Sequence, residues 1–251
     1  MKSKTPSPSF AHANLDDVLG GPLTLALSAP SQTIHAAAVQ FWESAMDAPH
    51  LSARMKELVL LALHACSSAV NDEAIRRHVR RAITAGASET DVLDVLLSIV
   101  GQANHALYFA LPILVSELGV ADVETSNAPE LREDIAAIKE EFVRTRGFWN
   151  KDRDLLARFM PDYFTSLSAL SMAPWKDGSL SACERELVYI AIDASVTHMF
   201  EAGLRLHIRN ALNAGATQAD ILEVLHLVSL VGLEGYVIGA STLMRDLPDS
   251  D

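Results

Sequence analysis

Glu186, Asp193 and His207 are the residues whose types and spacing point first to chemistry. Glu186 and Asp193 stand two turns apart on one helical face. His207 falls on the next helix, and if the two helices pack antiparallel the three side chains converge. A histidine beside carboxylates suits proton transfer near neutral pH, because a carboxylate fixes the imidazole tautomer and stabilises the imidazolium. The segment between them adds Ser195, Thr197, His198 and Glu201. His207 or His198 could act as the acid, tuned by Glu186, Glu201 or Asp193, and Ser195 or Thr197 could donate a hydrogen bond. An acidic substrate would need a cation, and Arg205 and Arg209 are the nearest candidates. The plain alternatives are a buried histidine bonded to a helix end and arginines on a solvated helix face.

The same residue types occur earlier in the chain. Residues 51–114 align without a gap on residues 180–243 at an offset of 129, and 20 of the 64 pairs are identical. Glu57 pairs with Glu186, Arg76 with Arg205, His78 with His207, Arg80 with Arg209 and Asp91 with Asp220. Repeated leucines need only a core, whereas a repeated Glu and His on successive helices suggests an inherited site. The copies also differ. Asp193 faces His64, Ser195 faces Cys66, His198 faces Ala69 and Glu234 faces His105. One working site is therefore expected, in the second copy more than the first, with Glu57 and His78 as the equivalent residues and further substrate-binding candidates. A composite pocket drawing His105 or Glu234 from the fourth helices is the variant of that expectation.

The elements that must position these groups are helices. Ser52 and Ser181 precede apolar runs as N-caps. A second helix from about Asp72 or Glu201 stops at Gly86 or Gly215, which suit a left-handed C-terminal cap. Ser88 and Thr217 start a third helix, and a fourth, about 104–118 and 235–247, closes each unit, with Pro112 expected to kink the first of these. No alternation of period two appears, so no sheet is expected. The expected organisation is an irregular N-terminal arm over 1–30, a first repeat over 31–120, a linker over 121–150 whose charged helix runs from Glu130 to Arg146, and a second repeat over 151–251 led in by one helix from Asp152 to Met172. A helix over Ile34–Met46 leads into the first repeat, and a loop holds Asn127 and Pro129.

Composition narrows the classes of function. The 251 residues carry 20 Lys and Arg against 32 Asp and Glu, a net charge of −12, which argues against nucleic acid and anionic lipid as partners. Arg76, Arg77, Arg80 and Arg81 read as a solvated or subunit-facing helix stripe. With no signal-like segment and no run of 18 apolar residues, a cytoplasmic protein is expected. Cys66 and Cys183 occupy non-equivalent positions and cannot form a Cys-x-x-Cys pair. Glu223 and His226 are the one compact ligand pair on a helix, and the first copy replaces the His with Leu97, so no metal is expected. Ser195 lacks the strand-turn-helix elbow of a serine hydrolase.

The pattern Glu-Leu-Val, then about twenty residues on a His followed eight residues later by Gly within Asn-Ala-Gly-Ala-Thr, then Asp-Ile-Leu-Glu-Val-Leu, resembles the carboxymuconolactone decarboxylase family, which includes alkyl hydroperoxidase D. The resemblance covers both repeats. It implies an all-α fold of two tandem alkyl hydroperoxidase D-like repeats, no cofactor, a homo-oligomer (dimer or trimer) and a small-molecule substrate held near the Glu and His. Members like alkyl hydroperoxidase D carry cysteines seven and four residues before the His. Here those places hold Asn71 and Ala74, and Phe200 and Gly203. The expectation is thus a cofactor-independent acid/base lyase or isomerase acting on a small carboxylated or carbonyl compound. A thiol peroxidase using Cys66 is the alternative, and an oligomeric scaffold built on apolar fourth helices is the third reading.

Overall fold

Several helices of the two repeats begin with a side chain that caps the first turn. In the computed structural model, which describes residues 14–19, 28–119, 131–149 and 152–246, the order is α1 (Leu15–Leu19), α2 (Ala29–Met46), α3 (Ala53–Ala65), α4 (Asp72–Thr84), α5 (Glu89–Ser98), a 3-10 segment (Ile99–Asn104), α6 (His105–Glu117), α7 (Glu133–Arg146), α8 (Asp152–Phe159), α9 (Pro161–Asp177), α10 (Ala182–Asp193), α11 (Glu201–Asn213), α12 (Gln218–Leu230), a 3-10 turn (Val231–Leu233) and α13 (Glu234–Asp246). The fold is all-α. Ser52 accepts from the Met55 N–H, and Ser181 with Glu184 and Thr217 with Asp220 form reciprocal capping boxes.

The helix bounds recur at the offset seen in the sequence. Starting at Asp72 and Glu201, α4 and α11 lie 129 residues apart, as do α6 and α13 at His105 and Glu234. The turns repeat as well. Val70 and Met199 both take positive φ, 39° and 43°, and Gly86 and Gly215 follow at 96° and 97°. Each of those loops closes by the same bond: the Asn71 N–H donates to the His64 carbonyl at 2.9 Å, and the Phe200 N–H to that of Asp193 at 2.8 Å.

The chain divides into two compact units, residues 1–92 with 181–251, and residues 93–180. In the first, α3 and α10 pack against each other and against their own partners α4 and α11, while α12 lies on α2, α3 and α10. Both central helices are buried on all sides, through Leu58–Leu63 and Leu187–Ile192. The second unit has its own cluster of Leu111, Ile135, Leu156, Phe164 and Leu167, with Trp149 packed beside it.

Several expectations change. Part of the irregular arm is the short α1, whose Leu15 is fully buried and whose Asp16 pairs with His35. Pro30 falls in the first turn of α2, where the missing N–H costs nothing. The single lead-in helix of the second repeat is two, because Pro161 pulls Met160 out of helical geometry (φ −135°, ψ 59°) and begins α9. The charged linker helix begins at Glu133, and Pro112 lies within α6, which continues past it. Pro6, Pro8, Pro22, Asn127 and Pro129 lie outside the described residues.

Candidate active site

The loop between α10 and α11 decides what each carboxylate can reach. Glu186, on the second turn of α10, is 3% exposed, and its Oε2 accepts the His207 Nδ1–H at 2.6 Å. That leaves His207 Nε2 pointing away from Glu186, 3.8 Å from Oδ2 of Asp193. Asp193 ends α10, is 1% exposed, and its Oδ2 has no hydrogen-bond partner. Its other oxygen lies 3.8 Å from Nε2 of His198. Both gaps exceed a hydrogen bond, so each pair can share a third polar atom only where that atom lies to one side of both groups. Burial, reinforced by the charge of Glu186, pushes the Asp193 carboxyl up to about 7. Burial holds the His198 imidazole below its usual range. Tyr189 covers one face of His207, with ring centroids 4.7 Å apart. Asn210 donates to the second oxygen of Glu186 at 3.4 Å.

Gly203 is part of the same arrangement. A side chain there would overlap Oδ2 of Asp193 and the Phe200 ring, so the bare backbone makes the space that Asp193 occupies. The sequence marked this position only as one that lacks a cysteine.

The first copy uses the same scaffold differently. Glu57 is fully buried, and its Oε2 accepts the His78 Nδ1–H at 2.9 Å. Arg81 binds the other oxygen, with Nε donating at 2.9 Å and Nη2 in ionic contact at 2.7 Å. Burial works against a charged Glu57, but His78 and Arg81 together outweigh it and hold the carboxyl below the ordinary range. Burial also lowers the His78 imidazole below its usual range against the pull of the bond to Glu57, with Arg77 and Arg81 adding repulsion. His64 stacks on His78 at 5.2 Å and 3°, and burial together with the neighbouring imidazole lowers it to about 4. Glu234, at the start of α13, binds Arg77 and Asn71 and lies 3.7 Å from His64. This copy is sealed: His78 is 1% exposed and every carboxylate oxygen is paired.

The sequence-nominated residues therefore separate. Glu186, His207, Asp193 and His198 meet. Glu201 does not join them, because it points to solvent and pairs one turn along with Arg205, itself 74% exposed. Arg209 is also exposed. Ser195 is buried with its hydroxyl given to the Ile192 carbonyl, and Thr197 is exposed and donates to Ser68. Glu57, His78 and Glu234 belong to the first copy's buried network instead of a substrate surface. His105 begins α6 in the other compact unit, with its ring against Tyr108. Arg77 and Arg81 are mostly buried ion-pair partners, correcting the solvated stripe, since two deep carboxylates of the first unit recruit them.

Other candidates are engaged elsewhere. Cys66 is 1% exposed and its thiol donates to the Leu63 carbonyl, and burial with two nearby carboxylates pushes the Cys183 thiol up. Neither presents an accessible thiolate. Glu223 is buried, paired with Lys56 and bound to the His50 and Leu51 N–H groups, while His226 meets Ser44 and Phe41.

Residues 161–233 match the family described as the carboxymuconolactone decarboxylase family. The crystal structure of a protein provisionally named a gamma-carboxymuconolactone decarboxylase subunit, from Burkholderia xenovorans LB400, is similar to this chain at 31% identity, with 96% of this chain and 97% of the other covered and a TM-score of 0.80. A search of curated proteins finds no match.

Proposed function

Because the chain belongs to the carboxymuconolactone decarboxylase family, we propose that it is a cofactor-independent acid/base enzyme, of lyase or isomerase type, whose reaction site is the second copy's Asp193, His207, Glu186 and His198. The observation that carries this reading is the bare Oδ2 of Asp193 facing His207 Nε2 across 3.8 Å.

The proton inventory follows from the geometry. Glu186 holds the proton of His207 on Nδ1, so Nε2 is the basic atom. Asp193 stays largely protonated up to neutrality and is the acid. A substrate lying beside both groups can give a proton from one carbon to Nε2 and receive one from Oδ2 at another, which shifts a double bond next to a carbonyl. In decarboxylation, the C–C bond to the carboxylate breaks, its electron pair forms an enolate as CO2 leaves, and Asp193 protonates the enolate carbon. Burial strengthens both transfers by excluding water. Arg205 and Arg209 take no part, so substrate recognition rests on the imidazoles and the Asp193 carboxyl.

Gamma-carboxymuconolactone, the compound named for the similar protein, is the first substrate to test. Wild type should release CO2 from it, or exchange protons next to the carbonyl of a related lactone acid. Asp193→Asn and His207→Gln should each lower kcat/KM by about a hundredfold or more, while Glu201→Gln leaves it unchanged. Equal turnover by wild type and Asp193→Asn would remove Asp193 from the mechanism.

A further inference from the structure

A second feature of the first unit lies outside the Glu186–His207 group. A cleft of about 360 Å³ beside α4 is lined by Arg76, Arg77, Arg80 and Arg81 together with Asp17, Val18 and Glu73. Its volume lies in the range of small-molecule sites. The four arginines fall at i, i+1, i+4 and i+5, which places them along one side of the helix. Like charges so spaced repel one another unless something offsets them. The offset is partial. Asp72 takes Arg76 on the surface, while buried Glu234 and Glu57 hold Arg77 and Arg81 from within without lining the cleft. Arg80 is exposed and has no ion-pair partner among the described residues. Nε of Arg77 is buried with no hydrogen-bond partner.

We propose that this cleft binds a small dianion, a dicarboxylate or a phosphate, with its charged oxygens seated among the guanidinium groups of Arg76, Arg77 and Arg80. Guanidinium donors come in planar pairs that match the oxygens of carboxylate and phosphate alike. Arg77 and Arg81 are fixed in advance by their buried carboxylates, so little side-chain freedom is lost on binding. Arg76 and Arg80 supply the outer wall. Asp17 and Glu73 also line the cleft and offset part of the arginine charge. The site is independent of the reaction proposed above, since none of its residues touches Asp193, His198 or His207.

The test is calorimetric titration of the full chain with succinate, with inorganic phosphate and, as a monoanion control, with acetate. Succinate or phosphate should bind saturably, more tightly than acetate, and less tightly as salt is raised. Whichever dianion binds better identifies the headgroup. Arg76→Ala/Arg80→Ala should weaken binding at least about tenfold while melting like wild type, because neither side chain enters the buried network. Asp193→Asn should bind as wild type does. Absence of saturable binding, equal binding by the double variant, or loss of binding in Asp193→Asn would each overturn the assignment.

Discussion

Gly203 and Asp193 are fitted to each other: any side chain at 203 would occupy the position of the Asp193 carboxyl oxygen that faces His207. Asp193 is the last residue of α10 and Gly203 lies in the first turn of α11; their equivalents in the first copy are His64 and Ala74 respectively. Gly203→Ala should therefore displace Asp193 and reduce kcat/KM by about tenfold or more. Stability should change by only about 1 kcal/mol, since alanine also favours the helix. Steady-state kinetics and thermal melting on the same sample check it. A variant with normal turnover would show that the position of Asp193 is not critical.

Asp193 and His64 occupy equivalent places with opposite pH behaviour. Asp193 has a raised pKa, so the stability associated with its neutral form is complete below the ordinary Asp value and is lost as pH rises through about 7. His64 is depressed, so its contribution is present above the ordinary histidine value of 6.5 and lost as pH falls through about 4. Each effect is on the order of 3 kcal/mol and the two oppose each other between about pH 4 and 7. Melting temperatures of Asp193→Asn should rise with pH over that window, and those of His64→Gln should fall. Parallel profiles for both variants would contradict the assignment.

The proposed acid also sets a rate profile. Activity that needs protonated Asp193 should decline above about pH 7 in kcat/KM. Measurement of kcat/KM from pH 5 to 9 against one substrate decides this. A profile flat across neutrality would remove Asp193 as the acid.

Glu57 supports structure in this scheme. Glu57→Gln leaves Arg81 without its buried charge partner and should lower stability by about 3 kcal/mol. At a temperature where the variant remains folded, turnover per molecule should match wild type. A selective loss of kcat with unchanged stability would place chemistry in the first copy.

Val70 is a β-branched residue at φ 39° and is 64% exposed, a conformation that Asn tolerates far better. Val70→Asn should raise stability by about 1 kcal/mol, read from chemical denaturation. An unchanged midpoint would mean that the loop holds no strain.

Much of the fold and part of the site were legible in the sequence, for different reasons. Caps, Gly86 and Gly215 fix helix ends by local rules, and the constant offset carried those rules from one copy to the other. The Glu186–His207 pair was legible because a repeated Glu and His on neighbouring helices has few explanations besides contact. Arg77 and Arg81 were misread because helical spacing gives a stripe but does not say which stripe faces a buried carboxylate. Glu201 was misread because i to i+4 pairing with Arg205 competes for it on the surface. The role of Gly203 depends on a loop path that brings residue 193 against residue 203, which pattern alone does not reveal.

The closed ionic network around Glu57 and the open carboxyl of Asp193 give this chain an uneven genetic load. Damage to α3 and α4 should be felt as lost protein, and damage at the end of α10 as lost turnover from protein that still accumulates. A selection scheme that scores abundance and activity separately would draw that border along the sequence, with the two halves of one architecture falling on opposite sides.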